Sequence, residues 1–137
     1  MTLEEARRIF CADRFATEAT GITIDQIGEG TATCSFTIEE RHKNQLGTVM
    51  GGAIYTLADY TAAIAANSCG RRSVSLSGQI HYLSVARGAR LIACAETVKD
   101  GRSVSVLRVD ICDDIGTAVA TASFDSFNLP DKKSEKD

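Results

Sequence analysis

The sequence predicts an α+β domain in which six mainly antiparallel strands curl around one long, almost uncharged helix, with a short helix at the N-terminus. Three observations predict it. Residues 51–67 are an alanine-rich apolar run with one charge, Asp59, and no proline, which favours helix over strand and a helix with no wet face. The segments around that run alternate apolar and polar residues with the period of half-buried strands. Two such segments precede it and four follow, with turn-forming residues between them.

Taken in order, residues 3–16 place apolar side chains at helical spacing with Glu4 and Arg8 four apart on the polar side, so a short amphipathic helix is expected. Residues 21–27 and 31–38 read as a hairpin across Gly28-Glu29-Gly30, with Ile22 and Ile24 of the first strand and Ala32, Cys34, Phe36 and Ile38 of the second on one apolar face. Residues 39–50 are polar and aperiodic and read as a loop into the helix of residues 51–67, which Cys69-Gly70 stops with Gly70 as a left-handed cap. Strands are expected at 73–85, 89–99, 103–112 and 117–127, with Asp100-Gly101 and residues 113–116 as hairpin turns. The single proline, Pro130, opens a charged tail, so the division is one domain over residues 1–129 and a frayed tail over 130–137.

Length and charge narrow the functional classes. A chain of 137 residues encloses one core without metals or disulfides. A net charge of −3 gives no reason to expect nucleic acid or an anionic membrane as the main partner. The apolar helix would span about 26 Å, borderline for a bilayer, but the charged, alternating segments around it argue against a membrane role. Glu4, Glu5, Arg7 and Arg8 interrupt any leader-like apolar run, so a cytoplasmic location is expected. The five cysteines are odd in number and scattered, with only His42 and His81 as imidazoles, so reduced, mostly buried thiols are expected, and neither a metal nor a cofactor.

Asp59 carries the most chemical information. A lone carboxylate in a buried helix is costly unless paired, hydrogen-bonded or protonated. It reads either as a base or nucleophile with a tuned pKa or as a rim or interface residue. Gly51 and Gly52 sit where the leading N–H groups of the helix lack intrahelical partners. They either bind a carbonyl oxygen as it gains negative charge or merely allow a tight turn. Eight residues separate Gly51 from Asp59, a rise of about 12 Å, so one helix cannot offer both to the same carbonyl. Two antiparallel copies can. If both residues are catalytic, the protein is at least a two-fold dimer with shared sites, and a homotetramer is the larger assembly expected.

The run His42-Lys43-Asn44-Gln45-Leu46-Gly47-Thr48-Val49-Met50-Gly51-Gly52, followed by Leu57-Ala58-Asp59, resembles the H-x-N-x-x-G-x-x-H-G-G…L-x-D signature of the PaaI-type hotdog acyl-CoA thioesterases. Residues 80–88 and the turn Asp100-Gly101-Arg102-Ser103 resemble later parts of that family, and the likeness spans about residues 20–128. The resemblance implies a hotdog fold and acyl-CoA as substrate, coenzyme A being part of the substrate rather than a cofactor. It implies that Asp59 activates water or attacks the carbonyl, that the Gly51 N–H polarises the thioester oxygen, and that Asn44 orients the acyl group or water. Ser75 matches a position that helps to hold the water, although Ser73 and Ser77 flank it at period two. Coenzyme A phosphates are expected near surface arginines, with Arg102, Arg71 and Arg72 as candidates against the alternative of plain solvated charges. The family's histidine before the two glycines is here Met50, which donates no hydrogen bond. His42 either supports the loop of Asn44 or is a surface residue. Two other classes remain open: a hotdog protein that binds acyl-CoA without turnover, and an acyl-thioester dehydratase.

Overall fold

The structure is a computed structural model and describes residues 1–130. Helix α1 (Leu3–Phe10) opens with a reciprocal cap. The Thr2 hydroxyl accepts the Glu5 N–H at 3.2 Å, and the Glu5 carboxylate accepts the Thr2 N–H at 3.1 Å. The strands are β1 (Thr23–Gly28), β2 (Thr31–Thr37), β3 (Ser73–Tyr82), β4 (Arg90–Asp100), β5 (Val104–Asp113) and β6 (Ala118–Asn128), and the long helix is α2 (Gly51–Asn67). They form one antiparallel sheet in the order β1-β2-β4-β5-β6-β3. Helix α2 lies on its concave side, as the patterning predicts. Gly70 adopts φ +84° just past the helix, the left-handed stop expected of it.

Three expectations are corrected. The N-terminal helix ends at Phe10 rather than continuing to Ala16, because the chain turns there to bring Ala16 into the core and closes a π-helical turn over Phe15–Ala19. The freed Phe10 carbonyl accepts the Tyr60 hydroxyl at 3.0 Å. Helix α2 is not enclosed all round: the sheet buries Leu57, Ala58, Thr61, Ile64 and Ala65, while Gly52, Thr56, Asp59, Ala63 and Ala66 form a partly open stripe. Among the cysteines only Cys34 is buried. Cys94 and Cys112 occupy outward positions of β4 and β5, and Cys11 and Cys69 lie in turns. Burial pushes the Cys34 thiol up to about 12, which keeps it inert. The charged tail, beyond Pro130, lies outside the described residues.

The two sheet edges differ. β1 has six residues, is kinked by a bulge at Asp25 and is braced by Arg7, whose guanidinium donates twice to the Ile24 carbonyl at 3.1 and 2.8 Å. Short, bulged edges resist further pairing. β3 has ten residues, pairs on one side only among the described residues, and exposes Val74, Leu76 and Tyr82. Such an edge is a template for another strand.

A buried carboxylate anchors the base of the sheet. Asp113 accepts N–H donors from Arg87 at 2.8 Å, Gly88 at 2.9 Å, Ile115 at 3.2 Å and Thr117 at 2.8 Å. Burial alone raises a carboxylate pKa, but hydrogen bonds from the Arg87, Thr117 and Gly88 backbone outweigh it and hold Asp113 well below the usual range. A depressed pKa gives stability that is fully present above the unfolded value of about 3.9 and is lost as pH falls toward the folded one. Asp113→Asn is therefore expected to lower Tm by about 5–10 °C at pH 7, and by progressively less below about pH 4. Thermal melts of both proteins across that range check it.

Candidate active site

Helix α2 begins without a side-chain cap. Met50 occupies the cap position with φ −64° and ψ 139° and contributes no side-chain hydrogen bond, so the Gly51 and Gly52 N–H groups have neither an intrahelical acceptor nor a capping one. The side chain of Met50 is 54% exposed at the rim. A Cβ on Gly51 would lie 3.1 Å from the Tyr82 ring, and the Tyr82 hydroxyl donates to the Gly51 carbonyl at 2.9 Å. A side chain at 51 would crowd the Tyr82 ring by a few tenths of an ångström, so glycine eases the approach of Tyr82 in addition to leaving the amide bare. Nothing but the tip of Met50 stands near a Cβ on Gly52. Tyr82 was not singled out by the sequence; its place at the end of an alternating strand carries no local signal.

The loop before α2 is built around His42 and Asn44. His42 is buried, its ring lies 4.3 Å from that of Phe36, its Nδ1 accepts the Glu39 N–H at 3.0 Å and its Nε2 donates to the Thr20 carbonyl at 2.7 Å. Its own carbonyl accepts the Met50 N–H at 2.8 Å. Of the two readings of His42, the structure shows the loop support. The Asn44 Oδ1 accepts from Leu46 N at 3.0 Å and from Thr48 N and Oγ1 at 3.2 Å. That leaves its NH2 end to donate outward.

Asp59 lies on the open stripe of α2, and its carboxylate makes no ion pair or hydrogen bond among the described residues. Burial first, and the nearby negative charge of Asp13 second, push its pKa above the ordinary carboxylate range. It borders a cavity of about 330 Å³ between α2 and the segment after α1. A second cavity, of about 370 Å³, lies at the other end of the half-helix between Gly51, Ile54 and Tyr82–Ala86.

Ser75 stands opposite Ser126, a buried residue of the concave face. The β-bulge between Ser75 and Ser77 then reverses the alternation, so that Ser77 turns to the convex face and donates to Asp125 at 2.8 Å. The bulge thus separates Ser75 from Ser77, which period two alone cannot do. Ser73 shares the concave face but donates to the Phe127 carbonyl at 3.2 Å.

The arginines lie apart from this group, at the far end of α2. Arg71 is engaged with Asp100 at 2.7 Å and with the Gly101 and Arg102 carbonyls at 3.2 and 2.9 Å, which ties the β4–β5 turn to the helix terminus. Arg72 donates to the Pro130 carbonyl at 3.1 Å. Arg71 and Arg102 border one shallow cavity. No group of His, Cys, Asp and Glu able to hold a metal occurs among the described residues. No helix there is long and apolar enough to cross a membrane.

A strongly curved antiparallel sheet holding one helix, with a bare helix start and a half-buried acid two turns on, defines a class, and comparison with known proteins agrees. The family model described as the thioesterase superfamily matches residues 46–120. The chain belongs to the thioesterase superfamily. Among curated relatives, human acyl-coenzyme A thioesterase 13 is 32% identical over 93 residues, 66% of this chain and 66% of that protein, so the match covers just under two thirds of the relative's length. Among solved structures, the Thermus thermophilus protein TT0310 is 31% identical, with a TM-score of 0.77 over 82% of this chain and 96% of that one. The Escherichia coli PaaI protein from the phenylacetic acid degradation operon, at 24% identity, gives a TM-score of 0.82 over 94% and 97% of the two chains. A hypothetical thioesterase protein of Streptococcus pneumoniae, solved with coenzyme A, is 26% identical, with a TM-score of 0.82 over 90% and 96%. The fold is the hotdog fold of these neighbours.

Proposed function

We propose that the protein hydrolyses acyl-coenzyme A thioesters as a homodimer or larger homo-oligomer, with Asp59 of one subunit and Gly51 of the partner subunit acting on one carbonyl. The single observation that carries this is an unpaired, half-buried carboxylate on the open face of a helix whose uncapped start lies about 12 Å away. That distance is too long for one chain to use both on one carbonyl and suits two antiparallel copies. The long free edge of β3 supplies a strand for such pairing. The acyl-CoA named in the human relative and the coenzyme A in the S. pneumoniae structure support the substrate class.

In this reading the thioester oxygen accepts the Gly51 N–H and is polarised by the positive end of α2. A water held between Asp59 and Ser75 attacks the carbonyl carbon, and Asp59 takes its proton. The tetrahedral intermediate carries its negative charge at Gly51, then collapses. The C–S bond breaks, the free acid departs, and the coenzyme A thiolate leaves and takes up a proton. The Asn44 NH2 orients the acyl carbonyl from the adjoining loop. Attack by the Asp59 carboxylate itself, giving an anhydride that water opens, uses the same geometry. Arg102, Arg71 and Arg72 would serve the nucleotide end of the substrate, with Met50 and Gly52 beside the pantetheine arm.

The histidines weigh against a dehydratase: both ring nitrogens of His42 are occupied, and His81 stands on the convex face away from α2. The test is release of free thiol from acyl-CoAs of varied chain length by the purified protein. Release lowered by about 100-fold or more in Asp59→Asn is the expected result. Tight acyl-CoA binding with no release from any of them would leave a binding protein instead.

A further inference from the structure

The cavity at Asp59 has a wall that the carbonyl chemistry leaves without a role. Thr56, Asp59, Tyr60 and Ala63 form its helical side; across from them stands the segment after α1, with Asp13, Phe15 and Ala16. Phe15 leaves 72% of its surface uncovered, although burying a phenylalanine ring is favourable. Its backbone is nevertheless fixed. The Phe15 carbonyl accepts both the N–H and the hydroxyl of Thr20 at 3.0 Å, and the Ala16 carbonyl accepts Ile22 N at 3.0 Å. The Arg41 guanidinium donates to the Glu18 and Ala19 carbonyls at 3.1 and 2.9 Å. This is a π-helical turn, a rare local geometry that is frequent at functional sites. A firmly held backbone thus presents a bare aromatic ring to a cavity that the Asp59 carboxylate also lines.

We propose that Phe15 selects the acyl group: its ring, with Ala16 and Ala63, seats the apolar body of the acyl chain while the thioester carbonyl lies beside Asp59. This rests on the reading of Asp59 as the hydrolytic group. The charges around the cavity set the acyl class. Its acids are Asp13 and Asp59, and Arg14 on its wall is already held by Glu18 at 3.0 Å through Nε and 2.9 Å through a terminal nitrogen. An acyl chain ending in a carboxylate meets two like charges there and a cation already paired. The seat therefore takes uncharged acyl groups and disfavours ω-carboxyacyl ones.

The test compares the wild type with Phe15→Ala, Phe15→Leu and Asp13→Asn on acetyl-, hexanoyl- and glutaryl-CoA, following free thiol. In Phe15→Ala the ratio of kcat/KM for hexanoyl- over acetyl-CoA is expected to fall about tenfold or more, with partial recovery in Phe15→Leu. The wild type should prefer hexanoyl- over glutaryl-CoA by about 100-fold, and Asp13→Asn should narrow that gap. Calorimetry with S-hexyl-coenzyme A, a thioether that cannot be hydrolysed, on Asp59→Asn protein, with and without Phe15→Ala, reads the seat without turnover; about tenfold weaker binding is expected. An unchanged acyl ratio or unchanged analogue affinity overturns the seat and leaves the hydrolytic reading standing. Absence of turnover on every substrate, with analogue binding that Phe15→Ala weakens, overturns hydrolysis and keeps the seat. Dissociation of the oligomer by Phe15→Ala in sedimentation velocity would make Phe15 an interface residue and overturn the proposal.

Discussion

Asp59→Asn is expected to lower kcat for acyl-CoA hydrolysis by about 10²–10⁴-fold, the range for loss of a positioned general base, without unfolding the protein. Tm should stay level or rise by about 2–5 °C at pH 7. The reason is the cost that the carboxylate imposes. Asp59 ionises against burial and against Asp13, so its folded pKa lies above its unfolded one. A raised carboxylate pKa destabilises the folded state at pH above it, and a neutral amide of the same shape removes that cost. The same displacement fixes the sign of the pH dependence. The base works only when ionised, so kcat/KM falls as pH drops through the raised pKa, with an acid limb above the ordinary carboxylate range. Asp13→Asn should shift that limb toward lower pH. Kinetics from pH 4 to 8 with parallel melts measure both effects, and an Asp59→Asn protein that loses activity only because it melts would fail the comparison.

Gly51→Pro should cost about 10²–10³-fold in kcat, the value of one oxyanion donor, because proline removes the single N–H in question. The site tolerates the substitution in two respects. Proline suits the first residue of a helix, and Met50 already has the extended backbone, φ −64° and ψ 139°, that a residue before proline requires. The remaining strain comes from the Tyr82 ring, which a Cβ at 51 would approach to 3.1 Å. Gly51→Ala meets the same ring and keeps its N–H. The difference in kcat between the two variants, compared at equal folded fraction, isolates the amide. Equal losses in both would assign the effect to Tyr82.

The strand count, the central helix and its stop at Gly70 were legible because each rests on local periodicity or on a glycine with a positive φ. The early end of α1 was not. Residues 11–16 keep a helical composition, and it is the tertiary contact of Tyr60 with the Phe10 carbonyl, together with the burial of Ala16, that turns the chain. Nor does alternation show that one extra residue in β3 reverses its faces, which is what separates Ser75 from Ser77. Asp59, Gly51 and Asn44 stood out as chemistry in unusual settings. Tyr82 and Phe15 did not, since an aromatic residue at a strand end or in a turn looks like core until its surroundings are known. His42 needed the structure to decide between its two roles, which Phe36 and Thr20 settle by enclosing it. The outward cysteines reflect the sheet's two faces: composition counts thiols but does not say which side of a strand they occupy.

Mixing the two defective proteins tests the shared site most directly. Asp59→Asn and Gly51→Pro subunits would be unfolded together, refolded as an equal mixture and assayed for thiol release. If each site joins the acid of one chain to the amide of another, every mixed pair regains one intact site, and activity should return to about a quarter of wild type. A mixture no more active than its two components would place both groups in one subunit and contradict the account.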